Sequence, residues 1–278
     1  MKTPNTPDFR DMSAGELKQY MDSHKEKEYV LIDVRQPSEY ESGHIPGAKF
    51  VPLLELESNL FDLPANRDLI FYCRSGARSM AAAMLAADAE VTQQNVYNLA
   101  GGVVGWRGQT LNGYPKVEIF DHASGYSDLL YTAMNLEKGA WRFYDDIRHR
   151  HADQPYSRTF KILSTAECAH AKSIYAIWKN TQRAPAKFDA LFAELGGEIL
   201  EGGESLADML QRLEHLDGNM CLNLIELGLR VESAAFDLYR NLADRSEDFE
   251  TMETLLTIAQ AEKGHMRILI KALAQCAA

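Results

Sequence analysis

A repeat in the second half of the chain constrains the fold more than any other feature. Helical periodicity predicts long helices near residues 124–151, 157–183, 219–244 and 248–275. Residues of the first helix pair recur in the second pair at a constant separation of 95 positions: Glu137 and Glu232, Tyr144 and Tyr239, Glu167 and Glu262, His170 and His265. Because the pairs are in register without a gap, the repeat predicts a four-helix bundle with a pseudo-twofold axis and a long crossover at 184–217.

The repeated glutamates lie on apolar faces of these helices. Glu137 is followed at helical spacing by Trp141, and Glu232 by Phe236. Each Glu-x-x-His pair presents an oxygen and a nitrogen on one face. Burying such carboxylates without partners would cost several kcal/mol each, and no lysine or arginine recurs at matching positions. The pattern therefore favours bound cations, and a purely structural polar core is the alternative.

Four glutamates and two histidines are the ligand set of di-iron and di-manganese bundles, and residues 123–276 resemble the rubrerythrin branch of the ferritin-like proteins. Many rubrerythrins carry a further glutamate where this chain has Leu229 and Ala235, so the resemblance gives no ligand-shuttling step. Tyr144 and Tyr239 are either hydrogen-bond donors to the ligands or core tyrosines. The resemblance implies two iron ions, with manganese or zinc as alternatives, bound by Glu137, Glu167, His170, Glu232, Glu262 and His265.

Residues 1–116 show a different pattern, in which short apolar strands alternate with helices. The strands are "YVLIDV", "DLIFYC" and "NVYNLAGG", and the helices include "SMAAAMLAAD" and "SAGELKQYMDS", where Ser13 and Glu16 predict a capping box. Such alternation is typical of a parallel α/β sheet covered by helices. The change of pattern predicts two domains, at 1–118 and 123–278.

The loop "RSGAR" (74–78) comes after Cys73 at the end of a strand and leads into a helix near Ser79. Backbone N–H groups of such a loop, the helix N-terminus and the cations Arg74 and Arg78 would lower the thiol pKa and hold an anionic group. A small buried cysteine without chemistry is the alternative. We predict that Cys73 is a nucleophile and that its anion pocket is formed by Arg74, Ser75, Gly76, Ala77 and Arg78.

Three motifs occur in the order typical of the rhodanese family, which residues 10–116 resemble: "LIDVRQPSEYESGHIPGAKFVPL" (31–53), "YCRSGARS" (72–79) and "NLAGGVVGW" (98–106). The resemblance implies a persulfide on Cys73, received from a small donor such as thiosulfate or a persulfide and passed to a thiol acceptor. It implies mainly structural roles for Asp33, Arg35 and His44. Related phosphatases place an arginine six positions after the cysteine, where this chain has Ser79, so the loop favours sulfur transfer.

Composition narrows the partners and the location. The net charge of −11 argues against nonspecific nucleic-acid binding, and no apolar stretch approaches the roughly 20 residues that span a bilayer. From the polar start of the chain we expect no signal peptide. We expect a cytoplasmic protein that forms a homodimer through its bundle. The four cysteines are scattered along the chain, at Cys73, Cys168, Cys221 and Cys276. Their spacing predicts neither a disulfide framework nor a metal site with four thiolate ligands.

Three functions are compatible with these two sites. The first is sulfur transfer through Cys73. In the second the bundle reduces peroxide or oxygen, with Cys73 supplying or sensing thiol equivalents. Because the sequence has no paired cysteines for an iron–thiolate centre, an external electron donor is the other expected source of electrons. In the third the bundle is a non-catalytic module for iron binding or dimerisation that controls the sulfurtransferase.

Overall fold

The computed structural model describes residues 9–246 and 248–276. The chain divides into two compact units, each built from two chain segments. The first unit contains Met1–Tyr114 and Tyr239–Gln260, and the second contains Pro115–Leu238 and Ala261–Ala278. The domains predicted from the sequence, 1–118 and 123–278, are contiguous and therefore differ from these units. The two contiguous domains remain a prediction.

The first unit contains a five-stranded sheet in which every pair of neighbours is parallel, in the order β1-β5-β4-β2-β3. The three strands expected from the sequence are present. The other two are β1 and β3, which are too short, at three and two residues, to show a periodicity. The strands are β1 Arg10–Met12, β2 Tyr29–Asp33, β3 Lys49–Phe50, β4 Asp68–Tyr72 and β5 Val96–Leu99.

Helices accompany this sheet, and every residue of β2 and β4 is buried. Because both faces of these parallel strands are buried, their sequences are nearly continuous apolar runs. The capping box at the first helix is confirmed: the N–H of Glu16 donates to the Ser13 hydroxyl, and the N–H of Ser13 donates to the Glu16 carboxylate. The helices are α1 Ala14–Ser23, α2 Pro37–Ser42, α3 Leu53–Leu56, α4 Ala77–Asp88 and α5 Gly102–Gly105.

A buried arginine, Arg240, connects the segment Tyr239–Gln260 to the rest of the first unit. No sequence pattern indicated a role for this residue. The Arg240 side chain is fully buried and donates hydrogen bonds to the carbonyl oxygens of Glu26, at 3.0 Å, and Tyr29, at 3.2 Å. Its Nε lies 3.2 Å from the buried carboxylate of Glu26. Removing one partner of a buried pair of this kind costs about 3–5 kcal/mol, because the other charge is left uncompensated.

The remainder of the chain is helical, and its four long helices lie close to the predicted bounds. Among the described residues, none of the helices is both long and apolar enough to cross a bilayer. The crossover contains two short helices. The helices are α6 Tyr126–Arg150, α7 Ser157–Trp178, α8 Phe188–Glu194, α9 Leu206–Glu214, α10 Met220–Arg245 and α11 Phe249–Ala272.

All four long helices contribute to one apolar core in the second unit. Phe143 of α6, Phe160 of α7, Leu224 of α10 and Leu269 of α11 are all fully buried in it. Burial of each such side chain stabilises the fold by about 1.5–3 kcal/mol. The crossover adds Met209 of α9 to the same core.

A disulfide joins Cys221, in the first turn of α10, to Cys276, which lies just beyond α11, and their Cα atoms are 5.3 Å apart. The expectation that the cysteines form no disulfide framework is wrong for this pair. The two residues are 55 positions apart. No local motif signals their pairing, which arises only because the beginning of one helix meets the end of another.

Candidate functional site

Cys73 comes directly after β4, at the carboxyl edge of the sheet, and is only 1% exposed. The N–H of Gly76 donates to its Sγ at 3.1 Å, and the hydroxyl of Ser79 lies 3.5 Å from the same atom. Gly76 has a φ of +102°, which favours glycine, and begins α4. The loop thus turns back over the sulfur so that backbone N–H groups face it.

This arrangement stabilises the thiolate. Burial raises the pKa of the Cys73 thiol, but the Ser79 hydroxyl and the backbone N–H groups of Ser79, Ser75 and Gly76 outweigh it, so the pKa lies below its ordinary value. The direction is the predicted one. The main cause of the lowering is hydrogen bonding to the sulfur, and Arg78 also interacts electrostatically with it.

The two predicted cations of the loop differ in their surroundings. Arg74 is exposed. Arg78 is engaged by Glu39 of α2, whose carboxylate accepts hydrogen bonds from both terminal nitrogens of the guanidinium at 2.7 and 2.8 Å. These bonds lower the pKa of Glu39 to about 2 and raise that of Arg78. The carboxylate therefore offsets the field of Arg78, and no sequence pattern had signalled this pair.

The third motif braces the loop from behind. The N–H of Val103 donates to the carbonyl oxygen of Cys73 at 2.8 Å, and the N–H of Val104 donates to that of Arg74 at 3.1 Å. A Cβ on Gly102 would lie 2.3 Å from the Cys73 carbonyl oxygen. Only glycine fits there, which gives the glycine pair of that motif a physical reason.

A polar chain extends from the thiol into the unit. The hydroxyl of Ser79 lies 2.7 Å from Asn98 Oδ1 as well as 3.5 Å from the sulfur, so either atom is placed to accept its single proton. Asn98 Nδ2 donates to Asp11 at 2.8 Å. Ser79 therefore occupies the sixth position after Cys73 with a short, internally bonded side chain. Sequence reasoning assigned no role to Asn98 or Asp11, and their only signal was the position of Asn98 within the third motif.

The polar residues of the first motif are placed where they support the structure. Arg35 donates to Asp33 at 2.6 and 2.9 Å and to the carbonyl oxygen of Gly43 at 2.7 Å, which ties the end of β2 to the end of α2. The His44 ring stacks on Tyr40, with ring centroids 4.0 Å apart.

In the second unit, all six residues of the predicted ligand set come together in the interior. Five of them are almost completely buried, whereas the side chain of His170 keeps 19% of its exposure. The cluster contains Glu137, Glu167, His170, Glu232, Glu262 and His265.

The cluster has the twofold arrangement that the repeat predicts. Nδ1 of His170 lies 3.5 Å from carboxylate oxygens of Glu137 and Glu262. Nδ1 of His265 lies 3.0 Å from Glu232, 3.1 Å from Glu262 and 3.1 Å from Glu167.

Glu167 is also 3.6 Å from His170. Glu167 and Glu262 therefore lie between two outer pairs, one of Glu137 with His170 and one of Glu232 with His265.

The pKa shifts of the clustered residues reflect their burial and the proximity of several carboxylates. Burial raises the pKa of Glu167 well above its ordinary value and that of Glu232 to about 7. Burial opposes the charge on His170, but the adjacent carboxylates of Glu137 and Glu262 raise its pKa to about 11. Each carboxylate oxygen of Glu167 is buried and accepts no hydrogen bond within residues 9–246 and 248–276. Buried oxygens of this kind, beside imidazole nitrogens, suit bound cations.

Two further groups reach the cluster. Tyr144 of α6 donates its hydroxyl hydrogen bond to Glu232, so it is a donor to the cluster and not only a core tyrosine. Its repeat partner Tyr239 is fully buried.

Glu201 of the crossover, which sequence reasoning missed, is 2% exposed and groups with Glu137 and Glu167. Burial, together with neighbouring carboxylates, raises the pKa of Glu201 well above its ordinary value.

Comparison with known proteins concerns the first part of the chain. Residues 13–109 match the family model of the rhodanese-like domain. A sulfurtransferase of Allochromatium vinosum is 37% identical over 83 residues, which are 29% of this chain and 73% of that protein. A putative sulfurtransferase of Bacillus subtilis, YtwF, is 29% identical over 103 residues, which are 37% of this chain and 95% of that protein.

A crystal structure of a rhodanese-like domain protein from Staphylococcus aureus is 27% identical and covers 36% of this chain and 93% of its own, with a TM-score of 0.32. Several other relatives are matched over less than two thirds of their own length.

Proposed function

The chain belongs to the rhodanese-like domain family through residues 13–109, and from this we propose that it is a sulfurtransferase that carries sulfane sulfur as a persulfide on Cys73. The observation that carries the proposal is the thiol itself, which receives a hydrogen bond from the N–H of Gly76 and has a lowered pKa. Thiolate is the nucleophilic form of cysteine, so this loop activates the residue.

The proposed reaction has two displacements. The Cys73 thiolate attacks the outer sulfur of thiosulfate, the bond between the two sulfurs breaks, and sulfite leaves with the electron pair. An acceptor thiolate then attacks the outer sulfur of the persulfide, which yields the acceptor persulfide and restores the Cys73 thiolate. The N–H groups of Ser75, Gly76 and Ser79 stabilise the negative sulfur before and after each step, and Arg74 supplies exposed positive charge for an anionic donor.

Phosphate chemistry is disfavoured by the residues that come after the cysteine. A phosphatase of this type places an arginine at the sixth position, whereas this chain has Ser79, whose hydroxyl lies 2.7 Å from Asn98 Oδ1. Arg78, one position earlier, is bonded to Glu39. The other cation of the loop 74–78 is Arg74, which comes immediately after the cysteine rather than six positions beyond it.

The proposal is tested by the mass of the protein. Incubation with thiosulfate should add the mass of one sulfur atom, peptide mapping should locate it on Cys73, and a thiol acceptor should remove it. A mass gain on another residue, or none with either thiosulfate or a small persulfide, would refute the assignment.

We further propose that the helical cluster is a rubrerythrin-like pair of metal sites, with iron as the expected metal and manganese or zinc as alternatives. The four glutamates and two histidines fit the group, because both carboxylate oxygens of Glu167 and Oε1 of Glu262 are buried and accept no hydrogen bond among the described residues. Two iron ions would supply electrons for the reduction of peroxide or oxygen. The protein residues hold the ions, Tyr144 orients Glu232, and His170, the most exposed member, lies nearest to solvent.

Metal analysis separates this proposal from its alternatives. Purified protein loaded with Fe²⁺ should retain about two ions per chain, with peroxide consumption that continues only while an external electron donor is added. Bound iron without peroxide turnover would favour a non-catalytic module. If neither iron, manganese nor zinc is retained, the cluster is a structural polar core. The homodimer and the cytoplasmic location remain proposals, which sedimentation and cell fractionation would test.

A further inference from the structure

The crossover carries a carboxylate that no repeat predicts. Glu201 lies between α8 and α9, outside the four long helices. It is 2% exposed, and its Oε2 accepts no hydrogen bond among the described residues. One oxygen of Glu201 and one from each of Glu137 and Glu167 lie within 4.8 Å of one another, which is close enough for all three to bind one ion. In its charged form this carboxylate only accepts, so it requires a cation or a hydrogen-bond donor in this position.

The crossover is fastened to α6 immediately beside Glu137. A Cβ on Gly139 would lie 2.2 Å from the carbonyl oxygen of Ile199, so glycine at this position permits the backbones to touch. The N–H of Gly197 donates to Asn135 at 3.0 Å, and the Arg142 side chain donates to the carbonyl oxygen of Gly196. Residues on both sides of Gly139 thus hold the crossover against one stretch of the helix.

A tight turn then directs Glu201 inward. The N–H of Gly203 donates to the carbonyl oxygen of Leu200 at 2.8 Å, and the N–H of Leu200 donates to that of Glu204 at 2.9 Å. Gly203 has a φ of +79°, and a Cβ on Gly202 would lie 3.0 Å from the Cβ of Ala234. The backbone around Glu201 is therefore fixed, so the side chain is held in the interior.

This carboxylate breaks the twofold symmetry of the cluster. The position 95 residues before Glu201 is Trp106, outside the helical repeat, so Glu201 has no counterpart in the other half. It groups with Glu137 and Glu167, so it adds a ligand atom to the Glu137 side of the cluster.

We propose that Glu201 is a seventh metal ligand, that it binds the ion on the Glu137 side, and that it makes the two metal positions chemically different. The inference rests on the metal pair proposed above. An additional carboxylate should strengthen the binding of one ion only and give that ion a distinct ligand field.

The test is a titration with Fe²⁺ under anaerobic conditions, together with Mössbauer spectra of the loaded protein. Glu201→Gln removes the charge at nearly constant volume, Glu201→Asp withdraws the carboxylate, and Glu204→Gln is the control on the same segment. Wild type and Glu204→Gln should bind two ions and give two distinct iron environments. Glu201→Gln should bind one ion at least about tenfold more weakly and leave the other unchanged.

Each outcome has one meaning. If wild-type protein binds no metal, the proposed metal centre fails. If wild type binds two ions and Glu201→Gln matches Glu204→Gln in affinities and spectrum, or weakens both ions equally, the role of Glu201 is refuted while the centre stands. Should Glu201→Gln not fold, as judged by circular dichroism, Glu201→Asp decides by the same criteria.

Discussion

The Cys73 loop and the carboxylate cluster are built in opposite ways. The loop consists of consecutive residues whose backbone N–H groups face a negative sulfur. The cluster consists of side chains from four helices and the crossover, whose oxygens gather where cations would bind. A site made by backbone is defined by its local conformation, whereas a site made by side chains depends on helix register. The two should therefore fail through different substitutions.

The largest expected effect is the loss of sulfur transfer in Cys73→Ser. Serine is not ionised at neutral pH and forms no persulfide, so turnover with thiosulfate should fall to background. Metal content should be unchanged, because the cluster lies in the other unit. Cys168→Ser, which alters the other free cysteine, is the control and should retain activity. Near wild-type transfer by Cys73→Ser would show that the sulfur is carried elsewhere.

The next effect is expected at Glu167, which lies between the two outer pairs of the cluster. In Glu167→Gln the rise in Tm that metal gives should largely disappear, since an ion at 100 times its Kd stabilises a protein by about 2.7 kcal/mol. Without metal the variant should melt close to wild type, because burial raises the pKa of the Glu167 carboxyl and so disfavours the charge that the substitution removes.

The control for this experiment is Glu226→Gln, which changes an exposed residue of α10. Differential scanning fluorimetry with Fe²⁺ and with a chelator gives both comparisons. An equal loss of Tm in Glu167→Gln with and without metal would favour a structural polar core over a metal site.

The two regions also differ in how far sequence could predict them. The strands β2, β4 and β5, the loop and the capping box are all predictable from local patterns. The pair formed by Arg78 and Glu39 is not, because the two residues are 39 positions apart and meet only when α2 is placed beside α4. What the loop contacts across the fold is therefore harder to predict than the loop itself.

In the helical region the repeat was sufficient to predict the six clustered residues, since helical register determines which side chains share a face. Glu201 was missed because it lies in the crossover between α8 and α9, outside the repeat. Cys221 and Cys276 were missed because each is isolated in sequence. A contact between single residues that are distant in sequence produces no local sequence pattern from which it could be predicted.

A single methyl group should damage the backbone-built site. In Gly102→Ala the new Cβ would lie 2.3 Å from the Cys73 carbonyl oxygen, at a φ of +55°. We expect the free energy of unfolding to fall by about 1–3 kcal/mol and sulfur transfer to fall about tenfold. Gly105→Ala has open space around it and is the control. Urea denaturation and thiosulfate turnover measure both effects, and equal behaviour of the two variants would contradict the close packing of the motifs.

A smaller effect is expected from the hydroxyl of Ser79. Because this group lowers the pKa of the Cys73 thiol, Ser79→Ala should raise it. Below that pKa the thiolate fraction then falls, so alkylation by iodoacetamide near pH 7 should slow severalfold and the pH profile should move upward. Ser75→Ala keeps the backbone N–H that faces the sulfur and should leave the profile in place. A common profile for both variants would assign the activation to the backbone alone.

The smallest expected effect concerns the charge that Glu39 removes from the loop. Hydrogen bonds from Arg78 lower the pKa of Glu39 to about 2, so the pair stabilises the fold above the usual carboxyl pKa and this contribution is lost as the pH falls towards about 2. Both side chains are partly exposed, so the loss of stability in Glu39→Gln should be about 0–1 kcal/mol at pH 7 and should vanish near pH 2.

The same substitution frees the guanidinium of Arg78, and the uncovered positive charge should lower the KM for anionic thiosulfate about two- to threefold while the KM for a neutral donor stays constant. Equal changes for both donors would mean that Glu39 acts only by positioning α2, and that the field at Cys73 comes from backbone N–H groups without help from this arginine.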